Sequence, residues 1–172
     1  IGAFALVGLP YTWKFVWSPL MDRFTPPFLG RRRGWAVLTQ LGLLLSIGVL
    51  GQFDPSTSLG PIVWIVFAVA LFSASQDIVL DAYRRELLAD DELGTGTSFW
   101  INAYRLSGLV PGSLALILAD QMPWTAVFWI TGLFMLVAII TTLTIKEVSD
   151  DALAPRTLRE AIVDPFVEFF SR

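Results

Sequence analysis

Five apolar stretches, at about 1–20, 35–53, 61–83, 98–119 and 124–145, divide this chain, and each approaches the roughly 20 residues that a helix needs to cross a bilayer. Nothing else in the sequence constrains the fold as strongly. Hydrocarbon offers no water to satisfy a backbone N–H or C=O, so continuous stretches of this length are expected to cross as helices, each closing its own hydrogen bonds. The expected fold is therefore all-α and integral to a membrane, with five transmembrane helices over residues 1–148. The first stretch starts without an initiator Met and without the zones of a signal peptide, so a piece of a longer protein is expected.

Lys and Arg set the expected orientation. The 21–34 connection carries Arg23, Arg31, Arg32 and Arg33, Arg84 and Arg85 precede the 86–97 connection, and the tail holds Lys146, Arg156, Arg159 and Arg172. The connections 54–60 and 120–123 hold no basic residue, so by the positive-inside rule they face outward and the tail lies in the cytoplasm. Pro61 suits the first position of a helix, Pro111-Gly112 should kink the fourth span or free a carbonyl, and the tryptophans near span ends suit the membrane interface. Gly42-x-x-x-Ser46, Ala70-x-x-x-Ala74 and Gly108-x-x-x-Gly112 carry the small-residue spacing of close helix contacts. Residues 149–172 read as a cytoplasmic linker with an amphipathic helix. Thr157-x-x-Glu160 resembles a capping box there, and Asp164-Pro165 a second helix start.

The chain has no Cys and no His, which removes thiol nucleophiles, disulfides, imidazole bases and the usual zinc ligands. No dense acidic cluster suits a hard metal, and a net charge of −3 does not suit nucleic acid. Neither an enzyme nor a cofactor is expected.

Lys14, Gln76, Asp77, Asn102 and Arg105 interrupt the apolar spans. A carboxylate in hydrocarbon costs on the order of 2.5–3.5 kcal/mol on insertion scales, so Asp77 is a functional candidate by default. Counted by helix rise, Lys14 lies about 12 Å from Asp22, Asp77 about 11 Å from Arg84, and Arg105 about 12 Å from Thr97. Two cations and one anion thus fall at similar depth in the cytoplasmic half of the membrane. Their convergence would leave one positive charge for an anionic substrate. The plainer arrangement has Asp77 neutralised by Arg105 while Lys14 snorkels to the headgroups. Asp81, one turn nearer the cytoplasm on the same helical face, is expected in a salt bridge at the inner mouth with Arg84, Arg85 or the 21–34 loop.

Met21-Asp22-Arg23 followed by Gly30-Arg31-Arg32-Arg33 resembles the inner-loop signature of the major facilitator superfamily, in which Asp and Arg residues join helix ends across an inner gate. Pro19 and the inserted Thr25-Pro-Pro-Phe-Leu29 depart from that pattern. The longer strings Lys14-Phe-x-Trp17-Ser-Pro-Leu-Met-Asp22-Arg23, Ser73-Ala-Ser-Gln-Asp-Ile-Val-Leu-Asp-Ala82 and Tyr104-Arg-Leu106 are similar to the AmpG muropeptide permease family. The resemblance runs along essentially the whole chain. It implies the second to sixth helices of an amino-terminal six-helix bundle, followed by the central linker, with the first helix and the carboxy-terminal bundle outside this sequence. It further implies proton-driven uptake of anhydro-muropeptides across the bacterial inner membrane for peptidoglycan recycling. In that family the polar residues of the stretch matching Gln76, Asp77 and Asp81 are needed for transport. Lys14, Asn102 and Arg105 enter as substrate or charge-pairing candidates from their depth alone, and Asp22, Arg23, Gly30 and Arg31 to Arg33 as the inner gate. Two other functions fit the same residues: a related carrier for another large anion, and a membrane assembly protein whose charges only pin helices together.

Overall fold

The computed structural model describes residues 2–148 and Val167, so the expected amphipathic helix of the tail lies outside the described residues but for that one position. The described chain is helical throughout. A tight 3-10 turn (Gly2–Gly8) leads into α1 (Leu9–Arg23), followed by α2 (Arg31–Leu50), α3 (Leu59–Leu87), α4 (Leu93–Ser107), a π turn (Val110–Leu114), α5 (Ala115–Ala119), α6 (Trp124–Leu133) and α7 (Met135–Thr144).

Four rods have the length and apolarity of a membrane crossing: Arg31–Leu50, Leu59–Leu87, Leu93–Ala119 and Trp124–Thr144. The first expected span differs from the reading as one helix over 1–20. Its α-helical part is only 15 residues and begins afresh at Leu9-Pro10, because Pro10 has no N–H with which to continue the preceding turn. α3, at 29 residues, is about 44 Å long and exceeds a hydrocarbon core of about 30 Å. Its last turns therefore carry Asp81, Arg84 and Glu86 out on the arginine-rich side. Pro61 is the third residue of α3, not its first.

α2 is the centre of the bundle and packs against α3, α6 and α7, while α1 packs on α3. Glycines let these helices approach. A Cβ on Gly42 would stand 2.6 Å from the Phe72 ring, and one on Gly48 would stand 2.5 Å from the Trp129 ring. Gln40, almost fully buried, donates from Nε2 to Thr142 Oγ1 at 2.9 Å and ties α2 to α7 where no water could replace the bond. Ala70 and Ala74 are buried as their spacing suggests. Gly108-x-x-x-Gly112 packs differently: an added Cβ at Gly112 meets nothing within 4 Å, and one at Gly108 meets only carbonyls of its own helix.

Pro111 acts as expected. The fourth rod widens around it, and Ala115 N–H bonds the Val110 carbonyl five residues back. That widening accommodates the missing N–H and the ring of Pro111. α4, before the widening, buries none of its residues, whereas α5 packs on α6.

Candidate functional site

The polar stretch of α3 forms one wall of two adjoining cavities, with α4 opposite. One, of about 350 Å³, is lined by Tyr11, Ser73, Asp77, Asp81, Trp100 and Tyr104 among others. The second, of about 330 Å³, shares Ser73, Asp77, Trp100 and Tyr104 and adds Gln76, Ala103 and Ser107. Helical spacing explains the membership. Ser73, Gln76 and Asp77 lie at i, i+3 and i+4 on α3, and Trp100, Ala103, Tyr104 and Ser107 at i, i+3, i+4 and i+7 on α4 and its end.

Asp77 sits at the meeting of these walls. Its carboxylate faces Lys14 Nζ of α1 at 4.0 Å, with both side chains about two-fifths exposed. Such a pair is loose, at the outer limit of an ion pair, and leaves each group open to a competing partner. One turn away, Tyr11 and Ser73 share a hydroxyl hydrogen bond of 2.6 Å, and Trp17 Nε1 donates to Ser75 Oγ at 3.1 Å, so α1 is stitched to α3 around the charges. Gln76 Oε1 is buried and has no hydrogen-bond partner among the described residues, which leaves an acceptor open to a donor.

The other mid-membrane candidates separate from this group. Arg105 does not neutralise Asp77, whose ion-pair partner is Lys14. It is exposed and makes no ion pair among the described residues. Asn102 donates to the Ser98 carbonyl of its own helix at 2.8 Å. Neither lines the two cavities, because positions 102 and 105 fall between the 100, 103, 104, 107 stripe. Asp81 is exposed and accepts from Arg84 Nη2 at 3.0 Å within its own helix, without reaching the 21–34 loop. The Arg84 guanidinium also lies over the Trp100 ring, 5.4 Å from its centre, which fastens α4 to α3. Trp100, Trp17 and Trp129 are half-buried in contacts between helices, while Trp64, at 70% exposed, remains on the outside.

A second charged group closes the arginine-rich end. Arg32, almost buried, donates from Nη1 to Asp22 Oδ1 at 2.6 Å and from Nε to both oxygens of Glu86 at 3.1 Å, with a further short bond from Nη2 to Glu86. Arg31, also buried, reaches Glu86 at 3.3 Å and the Asp22 carbonyl at 3.2 Å. Arg33 leaves this pair and donates to the carbonyls of Thr142 (2.9 Å) and Leu143 (2.6 Å) at the end of α7. The Glu147 carboxylate accepts from the backbone N–H groups of Arg32 (2.8 Å) and Arg33 (2.9 Å). It thereby satisfies two orphan donors at the start of α2 and complements its dipole. Gly30 makes room for that cap: its φ is +85°, and a Cβ there would stand 2.7 Å from the Glu147 side chain. Arg23 points outward over Phe24.

Glu86, Glu147, Tyr11, Ser73, Trp100 and Tyr104 were not among the candidate residues. The helical stripe at 100, 103, 104 and 107 was readable, and so was the need of two buried arginines for a carboxylate. That Glu86 and Glu147 supply it depends on the fold.

A polytopic helical membrane protein with a polar wall inside its bundle is the class these observations define. The profile of the Major Facilitator Superfamily matches residues 2–172, and the chain belongs to that family. Along its whole length it is 50% identical to an uncharacterized protein of Haemophilus influenzae and 45% identical to the anhydromuropeptide permease of Escherichia coli K12. The same permease of Escherichia coli O157:H7 gives the same identity. The chain spans 41% of the length of the first of these relatives and 35% of the permeases.

Proposed function

We propose that this chain forms part of the amino-terminal bundle of a proton-coupled importer of anhydro-muropeptides in the bacterial inner membrane. The observation that carries the reading is Asp77: an acid within a membrane helix, loosely paired with Lys14, beside an unsatisfied Gln76 acceptor and between aromatic side chains. The 45% identity to a permease of that name, extending through every one of these residues' segments, supports the substrate.

The chemistry follows from the residues. A muropeptide carries sugar rings, amides and carboxylates. Trp100 and Tyr104 offer faces for the rings, Gln76 Oε1 accepts from an amide or hydroxyl, and Lys14 attracts a carboxylate. Because Lys14 and Asp77 are held only at 4.0 Å, protonating Asp77 releases Lys14 to the substrate, and loss of that proton restores the pair. Proton and substrate are thereby linked through one lysine. The end cluster of Asp22, Arg31, Arg32 and Glu86 serves as the joint on the cytoplasmic side. In a carrier of this type a second bundle closes the site and the two rock about it, so residues 1–172 alone accumulate nothing.

The test is uptake of labelled anhydro-muropeptide into vesicles that contain the full-length protein, with and without an inward proton gradient. Accumulation that collapses with a protonophore supports the reading. Uptake of other large anions in preference to muropeptides would move the protein to a different substrate, and no gradient-driven uptake of any would leave a membrane assembly role.

A further inference from the structure

A wide apolar groove lies away from Asp77, between α1, α2 and α3. It measures about 660 Å³ and is lined by Trp17, Leu20, Trp35, Leu41, Leu45 and Phe72 among others. We propose that this groove binds one acyl chain of an anionic phospholipid from the leaflet on the arginine-rich side, with the headgroup phosphate at Arg23.

Three features of the groove point to that occupant. First, it is dry in character. The polar atoms on its walls are already engaged: Thr39 Oγ1 bonds the carbonyls of Trp35 and Ala36, and Ser75 Oγ accepts from Trp17 Nε1. Nothing there asks for water or for a polar ligand, and Leu20, Leu41 and Leu45 remain 42%, 42% and 55% exposed.

Second, its length fits. Along α2 the lining runs from Trp35 to Leu45, ten residues or about 15 Å, which is half of a hydrocarbon core of about 30 Å and hence one leaflet. The lower rim is fixed, because Trp35 Nε1 donates to the Phe24 carbonyl at 2.6 Å and anchors the groove to the end of α1.

Third, a cation stands at that rim. Arg23 is the last residue of α1, one turn beyond Leu20, exposed and stacked over Phe24. Arg31 and Arg32 are consumed by Asp22 and Glu86, and Arg33 by α7 carbonyls, whereas Arg23 makes no ion pair among the described residues. A phosphate supplies what it lacks, and Arg holds phosphate through paired N–H donors.

The probes are phosphatidylglycerol and phosphatidylcholine with identical acyl chains, added to delipidated full-length protein and counted by native mass spectrometry. Phosphatidylglycerol should be retained at least about tenfold better, equivalent to 1.4 kcal/mol. Arg23→Gln should bring the two lipids level, and Leu41→Trp should lower retention of both by filling the groove. A photoreactive benzoyl-phenylalanine at position 41 should yield an adduct with the mass of a phospholipid. Equal retention of both lipids by the wild type, indifference to both substitutions, or an adduct to peptide in place of lipid overturns the proposal. Thermal unfolding in detergent serves as the control for folding: both variants should keep the wild-type midpoint, and the binding result stands whatever the transported substrate proves to be.

Discussion

The two charged groups of this bundle are built on opposite terms. At the arginine-rich end, the buried Arg31 and Arg32 share Glu86, Arg32 also holds the Asp22 carboxylate at 2.6 Å while Arg31 takes its backbone carbonyl, and Glu147 caps the start of α2 beside them. Farther into the apolar spans, Lys14 and Asp77 stand 4.0 Å apart, each about two-fifths exposed, and a Gln76 oxygen has no partner among the described residues. Satisfied charges specify a joint, since separating them exposes each to a desolvation cost that its partner no longer offsets. Unsatisfied charges specify a place where something else arrives. On the proposed reading, this difference in satisfaction separates a structural joint from a working site.

The largest break in that comparison should come from the saturated group. Glu86→Gln leaves Arg31 and Arg32 buried with one carboxylate fewer, and should cost about 3–5 kcal/mol by the usual penalty for an unpaired buried charge. Thermal unfolding in detergent checks it. An unchanged midpoint would mean that Asp22 alone holds the joint.

Gly30→Val should come next. The left-handed backbone costs about 1–3 kcal/mol for such a residue, and the new side chain collides with Glu147, so the cap on α2 is lost as well. Gly30→Ala should show a smaller loss of the same kind, and equal stability of the two variants would separate strain from collision. Both changes should lower the yield of folded protein before they alter the affinity for substrate.

The smallest effect belongs to the basic-poor end, where the turn after α2 is held by Asp54 alone among acids. Ser56 donates to its carboxylate from both N–H (2.8 Å) and hydroxyl (2.6 Å), which holds the Asp54 pKa below its ordinary value. A lowered carboxyl stabilises the folded turn above the ordinary carboxylate range, and this contribution is lost as the pH falls through the folded value. Asp54→Asn should therefore abolish a slight acid sensitivity of the turn, read by amide exchange at Ser56, and leave transport untouched.

Much of this was legible in sequence because the membrane enforces simple rules. Apolar runs located the rods, Pro111 located the irregular turn, and the cost of a buried carboxylate singled out Asp77. What stayed hidden depends on which helix faces which. Lys14, Asp77 and Arg105 shared a depth, yet rotation about the helix axis brought Lys14 to Asp77 and turned Arg105 away. Asp81 had the right charge for the inner cluster, but Glu86 lies five residues further along α3 and meets Arg32 instead. The Glu147 cap crosses 115 positions of sequence to reach Arg32 N–H, a distance over which no periodicity speaks.

The central claim is that Asp77 works while the end cluster holds. It is tested most directly by substrate-induced proton flux and counterflow in vesicles that contain full-length Asp77→Asn, with Asp81→Asn alongside. Asp77→Asn imitates a permanently protonated acid, so it should lose proton flux and uphill accumulation yet keep counterflow, whereas Asp81→Asn, whose acid pairs among the described residues with Arg84 of its own helix, should keep all three. Retained proton flux in Asp77→Asn, or its loss in Asp81→Asn alone, would contradict the account.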